Sequence, residues 1–288
     1  MFSNELVMKL VSKKSELKAI LEPLRAAGKQ IGFVPTMGAL HQGHLSLVTR
    51  AQKKNDVVVV SVFVNPTQFD NQEDLVKYPK TLAADQAMLE QIGCDVLFVP
   101  TVAEMYPEQV SAESFDFDGL EFEMEGKFRT GHFDGVGTVV KRLFELVEPH
   151  TAYFGKKDFQ QYKIIKKLVK KYDLPVKVKG RPIFRESDGL AMSSRNTRLT
   201  EAHRDAAPVI FKILKKAKKK FGQKSIEELT QWVEKQFKKE PLLDLEYFTI
   251  ADEKTLKTPN EISPSAKYRA FIAVFAGDIR LIDNIGLN

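Results

Sequence analysis

The strongest constraint on the fold is the segment Asp56-Val57-Val58-Val59-Val60-Ser61-Val62-Phe63-Val64, which ends at Asn65-Pro66. Continuous β-branched residues without polar alternation suit a strand covered on both faces, as in a parallel sheet. Two flanking segments carry the same signal: Ile31 to Thr36, running into a turn, and Asp95 to Pro100. A periodic helix containing Leu45, Leu47 and Val48 follows the first, and a helix from about Lys80 to Ile92 precedes the last. Strand, helix, strand, helix, strand predicts a doubly wound α/β domain. Farther on, Val136 to Leu146 reads as a helix, Ala152 to Phe154 as a short strand and Gln160 to Lys171 as a helix. The pattern changes around Lys179-Gly180-Arg181-Pro182. Beyond it lie a loop from Arg185 to Arg198 and two lysine-rich helices, the second opened by the capping box Ser225-Ile226-Glu227-Glu228. Strands are expected at Leu245 to Ile250, Arg269 to Phe275 and Ile279 to Ile285. The expected division is residues 1–183 and a smaller α+β domain at 184–288.

With 288 residues, each domain can bury its own core. No stretch approaches the roughly 20 apolar residues of a membrane span. The opening MFSNELVMKLVSKK has no basic leader followed by an apolar block, so no signal peptide is expected. Cys94 is the only cysteine, which excludes an internal disulfide and a cysteine-rich zinc site and fits a reducing, cytoplasmic setting. The net charge of +6 is compatible with anionic substrates and is too mild to indicate a nucleic acid.

Chemistry-bearing residues concentrate where strands end. Pro35 to His44 reads PTMGALHQGH. Gly38 and Gly43 allow a tight turn and close approach of a ligand. His41 and His44, three apart at a helix start, project from one face beside free N–H groups that suit a phosphate. The alternative is a simple turn or cap. A second group, Met192-Ser193-Ser194-Arg195-Asn196, places hydroxyls and a guanidinium after the Gly189 loop, where they can neutralise developing phosphate charge or merely cap a helix. The turn Phe154-Gly155-Lys156-Lys157-Asp158-Phe159-Gln160-Gln161 and the turn Asn65-Pro66-Thr67-Gln68-Phe69 lie at strand ends, where doubly wound sheets bind ligands. Paired histidines upstream and a Ser/Arg loop downstream are similar to the class I adenylyl-transfer arrangement.

Taken together, the blocks PTMGALHQGH (35–44), SVFVNPTQF (61–69), YPKT (78–81), RTGHFDGV (129–136), FGKKDFQQ (154–161), RESDGLAMSSRN (185–196) and RLIDNI (280–285) resemble the pantoate–β-alanine ligase family in order and spacing. The resemblance implies a Rossmann-like N-terminal domain of the adenylyltransferase type, binding ATP and pantoate, and a C-terminal lid. It implies two steps: pantoate attacks the α-phosphorus of ATP to give pantoyl adenylate, and β-alanine then displaces AMP. By the same resemblance His44 is the catalytic histidine and proton donor, with His41 its partner on the phosphates. ATP would meet Met37, Gly38, Ala39, Leu40, His41, Gln42, Gly43 and His44, then Gly155, Lys156, Lys157 and Asp158, then Met192, Ser193, Ser194 and Arg195. Lys157, Ser193, Ser194 and Arg195 would sit on the phosphates and Asp158 on the ribose. Gln68 and Gln161 would hold pantoate, with Asn65, Met37 and Arg129 completing the substrate pocket. Asp85 matches a position that helps to hold Mg²⁺. Relatives are commonly homodimers.

Three positions depart from the family pattern. Lys156 stands where Glu is frequent, Ala84 where an acidic residue often precedes Asp85, and Phe184 where a smaller aliphatic residue abuts the adenine. His132, inside RTGHFDGV, is expected to be structural or to support a neighbouring site residue; outside the blocks, His150 and His203 are expected to be exposed and Cys94 a small buried hydrophobe. The lysines at 163, 166, 167, 170 and 171 and from Lys215 to Lys220 form solvated helix faces. Two other functions remain open on the residues alone: a nucleotidyltransferase acting on a phosphorylated acceptor, and an RNA-binding module resting on the basic helices.

Overall fold

The computed structural model describes residues 8–69 and 72–288. It divides into two compact units, residues 1–156 with 160–182, and residues 157–159 with 183–288.

The first unit is built on six parallel strands: β1 (Lys9–Val11), β2 (Ile31–Thr36), β3 (Val57–Val62), β4 (Val96–Phe98), β5 (Thr151–Gly155) and β6 (Lys177–Arg181), in the spatial order β1-β4-β3-β2-β5-β6. All six residues of β3 are buried, as its apolar run requires of a central strand. The chain winds outward from β2 to β4 and then returns to place β5 on the other side of β2. That reversal opens a crevice at the carboxyl ends of β2 and β5, where ligands bind in sheets of this kind. Phe33 pairs with Ala152, so three residues on Thr36 and Gly155 end level with each other.

Two edge strands were not expected. β1 has three residues, and β6, KVKGR, carries Lys and Gly on a half-exposed edge where no apolar run is needed. The helices Lys14–Ala26 and His132–Val147 also extend beyond or outside the expected segments. In the second helix Gly135 and Gly137 explain a close approach. A Cβ on Gly135 would lie 2.2 Å from the Thr67 carbonyl oxygen, and one on Gly137 would lie 2.9 Å from Phe115. The helix therefore seats directly on the turn that carries Asn65 and Gln68.

The second unit is an antiparallel sheet of β7 (Asp244–Asp252), β8 (Tyr268–Ala276) and β9 (Ile279–Gly286), in that order. The helices Val209–Lys220 and Ile226–Phe237 bury Ile210, Ile213, Leu214, Leu229, Val233 and Phe237 in one core with the sheet. Ser225 and Glu228 form the capping box reciprocally. The first helix is lysine-rich as expected, but the second contains only Lys235. No described helix is long and apolar enough to cross a membrane.

Candidate functional site

The segment after β2 turns through two left-handed residues, Gly38 (φ +83°) and Ala39 (φ +50°). Its conformation is held by Asp85, whose side chain is almost fully buried. One carboxylate oxygen accepts the Ala39 N–H at 2.9 Å; the other accepts the Leu40 N–H at 2.8 Å and the Thr81 hydroxyl at 3.1 Å. A Cβ on residue 38 would meet both the Asp85 carboxylate and Val62 at 3.0 Å, so glycine is required there by space as well as by φ. The Gly38 N–H donates to the Thr36 hydroxyl at 3.1 Å. The amides of Gly38, Ala39 and Leu40 are thus engaged within the protein.

That helix, Gln42–Gln52, is capped by His41, whose Nδ1 accepts the Gly43 N–H at 3.1 Å. The accepted bond assigns the proton of the neutral ring to Nε2. The His44 ring stacks against it, with centroids 4.0 Å apart and planes inclined by 30°. Of the two readings of His41-Gln42-Gly43-His44 left open by the sequence, the structure shows the cap.

Asn65 and Gln68 follow β3 on the same sheet edge and are buried. Asn65 Nδ2 donates to the Gly135 carbonyl at 3.1 Å and to Gln68 Oε1 at 3.3 Å; its Oδ1 accepts the Tyr106 hydroxyl at 2.6 Å and the Thr67 hydroxyl at 3.2 Å. Asn65 is therefore a hub that orients Gln68. Burial raises the Tyr106 pKa, while bonds to Thr67 and Asn65 oppose the shift, so the phenol stays a donor. Gln68 Nε2 also contacts the Met37 sulfur at 3.0 Å. Its main-chain carbonyl is gripped by His132 Nδ1 at 2.8 Å and Arg129 Nη2 at 3.3 Å, and Arg129 Nη1 lies 3.2 Å from His132 Nε2. Arginine can only donate, so His132 Nε2 accepts and the Nδ1 proton faces the Gln68 carbonyl.

Gly155 ends β5 and Lys156 follows in the first unit, while Lys157 and Asp158 belong to the second. Lys157 Nζ lies 3.8 Å from Asp158. Gln161 is half-buried on the helix Phe159–Lys171, whereas its neighbour Gln160 is buried and bonds Leu120, Glu123 and Glu125 main-chain atoms. Phe184 is 41% exposed. Ser193 caps the short turn Ser194–Arg198, accepting the Arg195 N–H at 3.3 Å. The loop before it is pinned by Arg204, which donates at 2.6 Å to both Glu186 and Asp188, and by Asn196, which donates to Glu186.

Among the described residues no group of three or more His, Cys, Asp or Glu could hold a metal ion. Asp85 has no acidic neighbour at Ala84, and its two oxygens already accept three hydrogen bonds of roughly four a carboxylate can take. The residues do not form a resident magnesium site. Mg²⁺ is usually held by one or two carboxylates together with substrate phosphates rather than by an all-protein cage.

The histidines outside the motif were only partly anticipated. His132 is structural as expected, but His150 is half-buried and accepts the Ile31 N–H at 3.0 Å, tying down the start of β2. His203 is also half-buried and bonds Thr200 at 2.7 Å. Cys94 is buried and its pKa is pushed up to about 12, chiefly by burial, as befits an inert thiol. Thr81, Tyr106, Gln160 and the pair Asp283 and Asn284 gave no individual signal. Only their presence in or near the blocks YPKT, FGKKDFQQ and RLIDNI could have drawn attention to most of them.

The pantoate-beta-alanine ligase family model matches residues 9–286. The chain belongs to this family. It is 54% identical to the pantothenate synthetase of Christiangramia forsetii over 98% of this chain and all of that one. Identity to the Flavobacterium psychrophilum pantothenate synthetase is 53%, covering 97% of this chain and all of the relative. Among solved structures, pantothenate synthetase from Thermus thermophilus is similar with a TM-score of 0.90 and 42% identity, covering 97% of this chain and 99% of that one. The Francisella tularensis ligase, solved with a β-γ ATP compound and β-alanine, matches with a TM-score of 0.81 and 36% identity, over 97% and 98% of the two chains.

Proposed function

We propose that the chain joins (R)-pantoate to β-alanine with ATP through a pantoyl adenylate, and that the residues assembled above carry the reaction. The observation that carries the activity is the family match across residues 9–286. A nucleotidyltransferase with a phosphorylated acceptor is not favoured, because the full-length relatives are pantothenate synthetases.

In the first step a pantoate carboxylate oxygen bonds to the α-phosphorus while the bond to the bridging oxygen breaks and pyrophosphate leaves. Little covalent chemistry falls to the protein; alignment and stabilisation of the leaving charge are its task. His44 serves as proton donor and His41 as its partner on the phosphates. Lys157, Ser193, Ser194 and Arg195 neutralise phosphate charge. Gln68 and Gln161 hold pantoate, and the clamps on Gln68 from Asn65, Arg129 and His132 support a fixed amide there. Met37 lines the same pocket. Gly38 to Gly43, Gly155, Lys156 and Met192 shape the ATP site, Asp158 meets the ribose and Phe184 the adenine. In the second step the β-alanine amine attacks the activated carbonyl and AMP departs.

Residues 1–183 form the ATP- and pantoate-binding part and residues 184–288 act as its lid. Mg²⁺ arrives with ATP, and Asp85 has one open lone pair for the ion or a water of its shell. A cytoplasmic homodimer completes the proposal, consistent with a lone buried cysteine and with the family resemblance.

Replacing a charge-stabilising donor costs on the order of 10²–10³ in rate. His44→Ala and Lys157→Ala should each lower pantoate-dependent pyrophosphate release by about that factor with unchanged far-UV dichroism. Near wild-type release from either variant would remove that residue from the mechanism.

A further inference from the structure

Asp283 and Asn284 are adjacent in β9, within the block RLIDNI, and the reaction outlined above gives neither of them a part. Both are buried, at 5% and 2% exposure. Asp283 takes the Arg185 guanidinium in a bidentate pair, at 2.7 and 2.9 Å, and also accepts the Asn284 N–H at 2.7 Å. Arg185 opens the loop that leads to Ser193, Ser194 and Arg195, and its guanidinium lies 3.5 Å over the Phe211 ring. Asn284 reaches a different segment. Its Nδ2 donates to the Lys157 carbonyl at 2.7 Å, and its Oδ1 accepts Arg269 Nη1 at 2.6 Å.

The orientation of this amide is determined. Arg269 has only donors, so the oxygen of Asn284 must face it and the NH₂ must face Lys157. Arg269 is itself fixed by Glu253 at 2.8 Å and lies 4.2 Å over the Phe159 ring. The amide cannot rotate without stranding a guanidinium donor. All of these contacts lie within the second unit, to which Lys157, Asp158 and Phe159 belong. Two consecutive residues of one strand therefore anchor the lysine segment and the start of the serine–arginine loop.

We propose that Asn284 is a positioning residue for Lys157, fixing the lysine peptide so that its ammonium reaches the phosphates, with Asp283 setting the adjoining loop from the same strand. This rests on the reading of Lys157 as a phosphate ligand.

Asn284→Asp tests the proposal because it keeps the volume and the acceptor for Arg269 while replacing the donor to Lys157 with an oxygen. With ATP and pantoate, the maximal rate of pyrophosphate release should fall about tenfold, the loss of one well-placed hydrogen bond, with the KM for pantoate unchanged. In a Lys157→Ala background the same substitution should cost nothing further, since its effect passes through the lysine. Asn284→Ser, too short to reach, should show the same pattern and serves if the aspartate variant does not fold. Wild-type rates from these variants, or a loss that adds fully to that of Lys157→Ala, would overturn the positioning role while leaving Lys157 in place. If Lys157→Ala alone releases pyrophosphate at the wild-type rate, the phosphate role of the lysine fails, and the proposal with it.

Discussion

The two loops assigned to the nucleotide are held by different physics. The loop Met37–His41 is fixed by one buried carboxylate that bonds main-chain amides, with a glycine packed against it. The loop Arg185–Asn196 is fixed by side-chain ion pairs: its first residue is held by the buried Asp283, while the part around Asp188 depends on Arg204, whose pair with Asp188 is about one-third exposed. Buried bonds to backbone define one conformation and are indifferent to salt. Half-exposed ion pairs are weak, screened and able to reform. The first loop is preformed, and the part of the second around Asp188 is the more adjustable within its own unit.

The largest effect is expected at the rigid loop. Asp85→Ala removes three bonds to a carboxylate and leaves two main-chain amides unpaired, which should lower stability by about 3 kcal/mol or more in urea unfolding. Activity should fall further than the folded fraction does, because Ala39 and Leu40 lose the acceptor that holds the left-handed turn at Gly38 and Ala39. A variant as stable and active as the parent would contradict the anchoring role.

The smallest effect is expected at the adjustable loop. Burial pushes the Asp188 carboxyl upward, but the Leu190 N–H and Arg204 outweigh it, and its pKa lies below the ordinary 3.8. The folded state thus gains stability above pH 3.8 that is lost as the pH falls through the lowered value. Asp188→Asn should remove this acid-side dependence at a cost of no more than about 1 kcal/mol at neutral pH. The same cost should shrink in high salt, whereas that of Asp85→Ala should not. Equal salt sensitivity in denaturation series of the two variants would erase the distinction between the loops.

The contrast also tracks what was legible in the sequence. The apolar run of β3 and the glycines and histidines of residues 37–44 reveal the sheet and the turn, because burial and positive φ select residue types locally. Gln68, Lys157, Gln161 and Ser193–Arg195 beside the histidines point to a carboxylate-activating site, and the family resemblance names the acid as pantoate. Nothing local announces that Asp85 bonds Ala39 and Leu40 across 46 and 45 positions, that Asn65 spends its polar atoms on protein partners, or that Asn284 grips Lys157. Such contacts are set by topology. Gln160 and Gln161 make the point in miniature, since one helical step buries the first among main-chain atoms and leaves the second half-exposed. β6 was missed for a related reason: an edge strand such as KVKGR does not need an apolar pattern.

The central claim is that a carboxylate is activated before any amine arrives. Its most direct measurement is pyrophosphate release from ATP with pantoate, with and without β-alanine. The account predicts release that requires pantoate, proceeds without β-alanine through a first turnover, and becomes continuous when β-alanine is added. Release that requires a phosphorylated acceptor, or that never occurs without the amine, would contradict it.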